Sequence, residues 1–162
     1  MLLRAAIAIA PPEVEIVLFE DVGNLPHFNP DIEQTPPPIV EAFRTLLRGC
    51  DGIMIASPEY AHGVAGAFKN ALDWVVGATE LGGKPVALIN TSGRAVHAYA
   101  ALAETIRTMG WIIVDEASPT IPIAGKEYDV ERVLATAAFA EPLRSAINAL
   151  ARAKNESCVT YA

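Results

Sequence analysis

Residues 52–74 read Gly-Ile-Met-Ile-Ala-Ser-Pro-Glu-Tyr-Ala-His-Gly-Val-Ala-Gly-Ala-Phe-Lys-Asn-Ala-Leu-Asp-Trp, and this stretch decides the fold. Its opening, Gly52 to Ala56, is a short continuous apolar run with β-branched residues. Such a run suits a parallel strand covered on both faces. Pro58 cannot donate a ladder hydrogen bond, so the strand should stop there. From Gly66 the period changes. Phe68, Leu72, Val75 and Val76 fall at helical spacing, with Lys69, Asn70 and Asp73 on the other side. The order is therefore strand, polar loop, helix. In an open parallel sheet that loop lies at the carboxyl end of a strand, where such folds bind ligands.

Working outward, the same alternation continues. Leu2, Leu3, Ala6, Ile7 and Ile9 ahead of Pro11-Pro12 predict a short helix closed by proline. Val14 to Phe19 is apolar enough for a buried or nearly buried strand. Asp21 to Pro38, rich in Gly, Asn and Pro, reads as a long loop ordered by a neighbour or by function. Ile39 to Arg48 places Ile39, Phe43, Leu46 and Leu47 on one helical side, with Gly49 as the stop. Downstream, Gly82-Gly83 predict a turn and Pro85 to Asn90 a second apolar strand. Thr91-Ser92-Gly93-Arg94 form a second polar loop, and Ala95 to Met109 a helix ended by Gly110. Trp111 to Val114 reads as a strand, Ser118 to Gly125 as irregular, and Val130 to Lys154 as one long helix with a break near Pro142. The expected unit is one domain over 1–154, followed by a flexible tail over 155–162. Strands alternating with helices give an α/β fold with a parallel sheet and right-handed crossovers.

The bulk numbers exclude several classes. At 162 residues, 52% hydrophobic and 19% charged, the chain fits one core-bearing domain. A net charge of −7 argues against a nucleic-acid partner, since phosphate binding needs clustered Lys and Arg. No apolar run reaches the ~18 residues of a membrane span. The start, Met1 to Ala6, lacks a basic leader and a cleavage site, so no secretory signal is expected. Cys50 and Cys158 form neither a disulfide framework nor a metal motif. Cys50 reads as a small buried side chain, and cytoplasm is the default location.

Ser57-Pro58-Glu59-Tyr60 followed by Phe68-Lys69-Asn70-Ala71-Leu72-Asp73-Trp74 resembles the S-P-E-Y…L-K-N-x-x-D-W signature of the NADPH-dependent FMN reductases. The likeness covers the chain to about Leu150. Two positions depart: Ala65 stands where proline is usual and Phe68 where leucine is usual. The resemblance implies a flavodoxin-like, doubly wound, three-layer sheet and a flavin chemistry in which FMN moves the hydride of NADPH or NADH. It implies a small-molecule electron acceptor such as a quinone, and a homodimer or homotetramer. It also implies a first strand and a Ser/Gly-rich phosphate loop ahead of the first helix. Neither stands in this sequence, which opens inside that helix. The expected sheet therefore lacks its first strand, whose place lies between Val14–Phe19 and Ile53–Ala56. The chain is either a fragment of an FMN enzyme or a smaller sheet in which those two strands pair directly.

By the same resemblance, Pro58, Glu59, Tyr60, His62 and Gly63 border the flavin. Thr91, Ser92, Gly93 and Arg94 occupy the equivalent exit of the next strand. There their hydroxyls and N–H groups suit a pyrimidine edge, and Arg94 suits a reduced flavin or a nicotinamide phosphate. Each loop also has a bland reading: a strand-ending turn with Tyr60 as packing, and a Ser/Gly turn capping the next helix. His62 is a candidate proton donor by residue type, while His27 and His97 carry less weight. No catalytic side chain and no metal ligand is assigned. Ser57 lacks the G-x-S-x-G frame of a hydrolase. Lys69, Asn70 and Asp73 are expected to fix the loop or a subunit contact, and Trp74 to lie in the core or an interface. Beside the oxidoreductase stand two alternatives: a cofactor-poor binding or assembly module, and a one-electron carrier.

Overall fold

The computed structural model describes residues 1–123 and 127–156. Its helices are α1 (Leu2–Ile9), α2 (Pro38–Gly49), α3 (Gly66–Asp73), α4 (Val96–Thr108), α5 (Val130–Ala135) and α6 (Ala137–Glu156). Three short strands, β1 (Ile53–Ile55), β4 (Pro85–Leu88) and β5 (Ile112–Ile113), form a parallel sheet in the order β1-β4-β5. Two more, β2 (Glu59–Tyr60) and β3 (Gly63–Val64), form a small antiparallel hairpin. In the main sheet Ile53 lies opposite Val86 and Ile55 opposite Leu88, while Pro85 lies opposite Ile112.

β4 shows why the fold has three layers. All four of its residues are buried, and successive side chains point to opposite faces. Val86 and Leu88 join one core with Val40, Phe43 and Leu47 of α2, Leu72 of α3, and Leu102 and Ile106 of α4. Ala87 meets Ala149 of α6 on the other face, and Ile89 just beyond the strand joins Leu2 of α1, Val133 of α5, and Leu143 and Ile147 of α6. A strand sandwiched this way must be apolar throughout, as Pro85 to Leu88 is.

The expected strand over Val14–Phe19 does not form. A strand needs a ladder partner about 4.8 Å away, and among the described residues β1 pairs only with β4. The segment instead lies against both layers. Val14 and Ile16 pack on the α1/α6 side, Phe19 tilts against Phe43 at 4.8 Å, and Val17 is 60% exposed. The alternative in which this segment pairs directly with β1 is thereby overturned.

The helical expectation for 130–154 is also corrected. The break falls at Thr136, between α5 and α6, rather than near Pro142, which lies inside α6. Thr136 O accepts from the N–H groups of Phe139 and Ala140, starting the new helix. Pro142 then forgoes only the one bond its missing N–H would have made. α6 continues through Glu156, two residues beyond the domain edge expected at 154; residues 157–162 of the expected tail, and Cys158 with them, lie outside the described residues. Cys50 is half-buried rather than buried, its thiol donating to Leu47 O at 3.3 Å; burial raises its pKa. The long segment 21–38 carries two single-turn 3₁₀ helices, Asp21–Asn24 and Pro30–Ile32.

Candidate functional site

The loop leaving β1 and the loop leaving β4 emerge side by side, because their strands are parallel neighbours. The first is more structured than its sequence predicts. Glu59 pairs with Val64 and Tyr60 with Gly63, leaving Ala61 and His62 as a two-residue tip. Both tip residues have positive φ, 50° and 59°. A tight two-residue hairpin of the I′ type requires that geometry and normally uses Asn-Gly. For residues with a Cβ it costs about 1–2 kcal/mol each. The tip is therefore a strained turn at the carboxyl rim of the sheet.

The sequence-predicted residues divide by environment. Tyr60 is 66% exposed, and Pro58 and His62 are exposed, while Glu59 and Gly63 are half-buried. The Glu59 carboxylate does not point into open space. Its Oε2 accepts the backbone N–H of Ala98, in the first turn of α4, at 2.8 Å. The preceding residue, Ala95, has no capping side chain, so a residue 39 positions away supplies the cap. His62 stacks on His97, ring centroids 4.4 Å apart and planes 27° off parallel. The hairpin thus touches α4 twice.

The second loop is largely self-contained. Asn90 Oδ1 accepts from Ser92 N at 2.9 Å, an Asx turn, and Ser92 Oγ accepts from Arg94 N at 3.3 Å. Ser92 O accepts from Ala95 N, and Thr91 O accepts from Ile123 N. Thr91 and Ser92 are half-buried, Gly93 and Arg94 exposed. The turn-forming reading of this loop is what the hydrogen bonds show. Between hairpin and α4 lies a crevice of about 10 Å³, about the room one water needs, lined by Ser57, Val64, Asn90, Ala98, Tyr99 and Leu102 among others. Glu59 and Tyr60 are not on its wall. Sequence reasoning overlooked Asn90 and Tyr99 here and gave His97 little weight; an Asn at a strand end ahead of Ser-Gly is an Asx-turn signal that could have flagged the first.

Behind the hairpin, the other half of the signature holds structure. Asn70 Oδ1 accepts from Phe28 N at 2.8 Å, and Asn70 Nδ2 donates to Pro26 O at 2.9 Å and Leu25 O at 3.4 Å. Trp74 Nε1 donates to Pro26 O at 2.7 Å, and its ring meets Phe28 edge-on at 5.1 Å. Arg44 places Nε and Nη2 on Trp74 O at 3.0 and 2.8 Å and Nη1 on Glu33 O at 3.1 Å. Asn70 was expected to fix the signature loop; it fixes the 25–28 segment instead. Trp74 is fully buried in the core. Lys69 and Asp73 pair with each other across one helical turn at 2.5 Å.

An open parallel sheet with helices on both faces, carrying two polar loops at the carboxyl ends of adjacent strands, defines a flavodoxin-like α/β protein. Residues 1–125 match the model of the NADPH-dependent FMN reductases, and the chain belongs to that family. It is 39% identical over 93 residues to an NAD(P)H-dependent FMN reductase of Pseudomonas aeruginosa, covering 56% of this chain and 50% of that one. It is 43% identical over 97 residues to an NADPH:quinone oxidoreductase of Arabidopsis thaliana, covering 57% and 50%. The chain therefore spans about half the length of the curated relatives it matches. Among solved structures it is similar to FerB, a flavoenzyme NAD(P)H:(acceptor) oxidoreductase from Paracoccus denitrificans. That likeness has a TM-score of 0.76 at 26% identity and covers 96% of this chain and 88% of FerB. No helix among the described residues is long and apolar enough to cross a membrane.

Proposed function

We propose that this protein is a flavin-dependent NAD(P)H oxidoreductase that binds FMN across the loops leaving β1 and β4 and reduces quinones or free flavin. The observation that carries the reading is the signature hairpin standing beside the 91–95 loop at one rim of a parallel sheet, in a chain of this family. The residues fit a flat ring with a polar edge. Tyr60, His62 and His97 offer exposed aromatic surface, and Arg94 is an exposed cation on the helix-entry loop just ahead of His97. Pro58, Gly63, Thr91, Ser92 and Gly93 complete the two loops.

The two loops would hold FMN, which would supply the hydride chemistry between NAD(P)H and the acceptor. The chain's own residues hold and orient. The hairpin presents its tip, Asn90 shapes the second loop, and Arg94 supplies positive charge suited to a reduced flavin or a nicotinamide phosphate. Quinone and FMN reduction by the relatives' names, and the family resemblance, support the choice of acceptor. A homodimer or homotetramer and a cytoplasmic setting belong to the same reading; light scattering and fractionation test them.

The decisive experiment is a fluorescence titration of the purified protein with FMN, followed by NAD(P)H oxidation in the presence of a quinone. Saturable binding and turnover support the reading; neither signal at any flavin concentration overturns it. The second reading, a binding module without redox activity, is favoured by the self-satisfied hydrogen bonds of the 91–95 loop. Tight FMN binding would remove it.

A further inference from the structure

We infer that Glu59 is a positioning residue: by capping α4 it fastens the two loops of the site into one unit, and cofactor affinity depends on that fastening. The inference rests on the flavin reading above. Three observations carry it. The Glu59 carboxylate accepts the N–H of Ala98 at 2.8 Å, and Ala98 is buried. α4 has no cap of its own at Ala95. The hairpin tip sits in left-handed geometry at Ala61 and His62, and His62 stacks on His97 of the same helix turn.

A strained turn persists only where its surroundings hold it. Here the holding contacts both run to the first turn of α4, which is also the end of the 91–95 loop. A loop that stood alone could shift without disturbing its neighbour; these two are tied. The carboxylate that the sequence assigns to the flavin edge is engaged with the backbone instead. Its contribution to a cofactor is to fix where Tyr60, His62 and the 91–95 loop stand relative to one another.

The test compares Glu59→Ala and Glu59→Gln with the unaltered protein. Gln keeps an acceptor of the same reach and should retain the bond; Ala removes it. Amide exchange is read at Ala98 without cofactor, FMN affinity by fluorescence titration, and global stability by thermal melting. We expect Glu59→Ala to speed exchange at Ala98 at least tenfold and weaken FMN binding about tenfold, with the melting midpoint within a few degrees of the parent. Glu59→Gln should stay within threefold of the parent in both exchange and affinity. His97→Ala, which removes the stack alone, should speed exchange at the hairpin tip by a smaller factor.

Unchanged exchange at Ala98 in Glu59→Ala overturns the fastening. Equal loss of affinity in the Ala and Gln variants, with exchange intact in Gln, also overturns the inference, because the charge would then act on the cofactor directly. Failure of the unaltered protein to bind FMN overturns the proposed function instead, and the exchange measurement still decides whether Glu59 ties the loops.

Discussion

The two ends of α3 are held in opposite ways. At its far end, Asn70 and Trp74 reach back to the 25–28 segment with four hydrogen bonds and an edge-on aromatic contact, all half-buried or buried. Ahead of it, the β2–β3 hairpin stands on the surface with a strained tip, one carboxylate cap and one imidazole stack. The contrast separates the jobs within a single signature. Its K-N-x-x-D-W half is anchorage, where the half-buried Asn70 amide and the buried Trp74 indole N–H are each partnered. Its S-P-E-Y half is display, where exposed rings and a non-glycine turn are tolerated for what they present.

Trp74→Ala attacks the anchored side hardest. It empties a fully buried indole site and leaves Pro26 O with Asn70 Nδ2 as its remaining donor, so a loss of about 3–5 kcal/mol is expected by urea denaturation. Asn70→Leu keeps the bulk and removes the bonds. It strands Phe28 N–H and Leu25 O, leaves Pro26 O with Trp74 Nε1 alone, and should cost about 1–3 kcal/mol. On the display side the sign reverses. Replacing Ala61-His62 by Asn-Gly supplies residues suited to positive φ and should stabilise the fold by about 1 kcal/mol, while loosening the hairpin from His97. A destabilised product would show that the tip is not strained, and the contrast would fail.

The smallest expected effect lies at the surface network of Arg48 with Glu41 and Glu80. The hydrogen bond from Arg48 lowers the pKa of Glu41; a bond from its own backbone N–H, then Arg48, lowers that of Glu80. Carboxylates depressed on folding contribute stability above their ordinary value near 4.5, and that contribution disappears as pH falls through the folded value. Both groups are fully exposed, so the effect is slight and screened by salt. Glu80→Gln should flatten the dependence of the melting midpoint on pH below about 5, and 1 M NaCl should do the same.

Much of this was legible because it is local. The apolar run before Pro58 and the 3.6-residue spacing after Gly66 place β1, the rim loop and α3 within a residue or two, with α3 ending at Asp73 and leaving Val76 exposed. The rest depends on partners distant in sequence. Val14–Phe19 has strand composition, yet a ladder requires a neighbour that composition does not report. The hairpin escaped notice because Ala-His is not a turn signal; tertiary contact to α4 holds it. The break at Thr136 was masked by Pro142, the stronger helix breaker by residue type. Glu59 was assigned to the rim loop, but its bond to Ala98 had no local signal, since Ala98 lies 39 residues on.

Arg44 gives this arrangement a consequence for sequence tolerance. Its planar guanidinium spans two carbonyls, Trp74 O at the end of α3 and Glu33 O in the long loop, and lies 6.0 Å from the indole centroid. A lysine at this position has one nitrogen and no plane, so it can serve one oxygen or the other but not bridge them. A codon-saturation survey scored on folding should therefore find position 44 intolerant even of lysine.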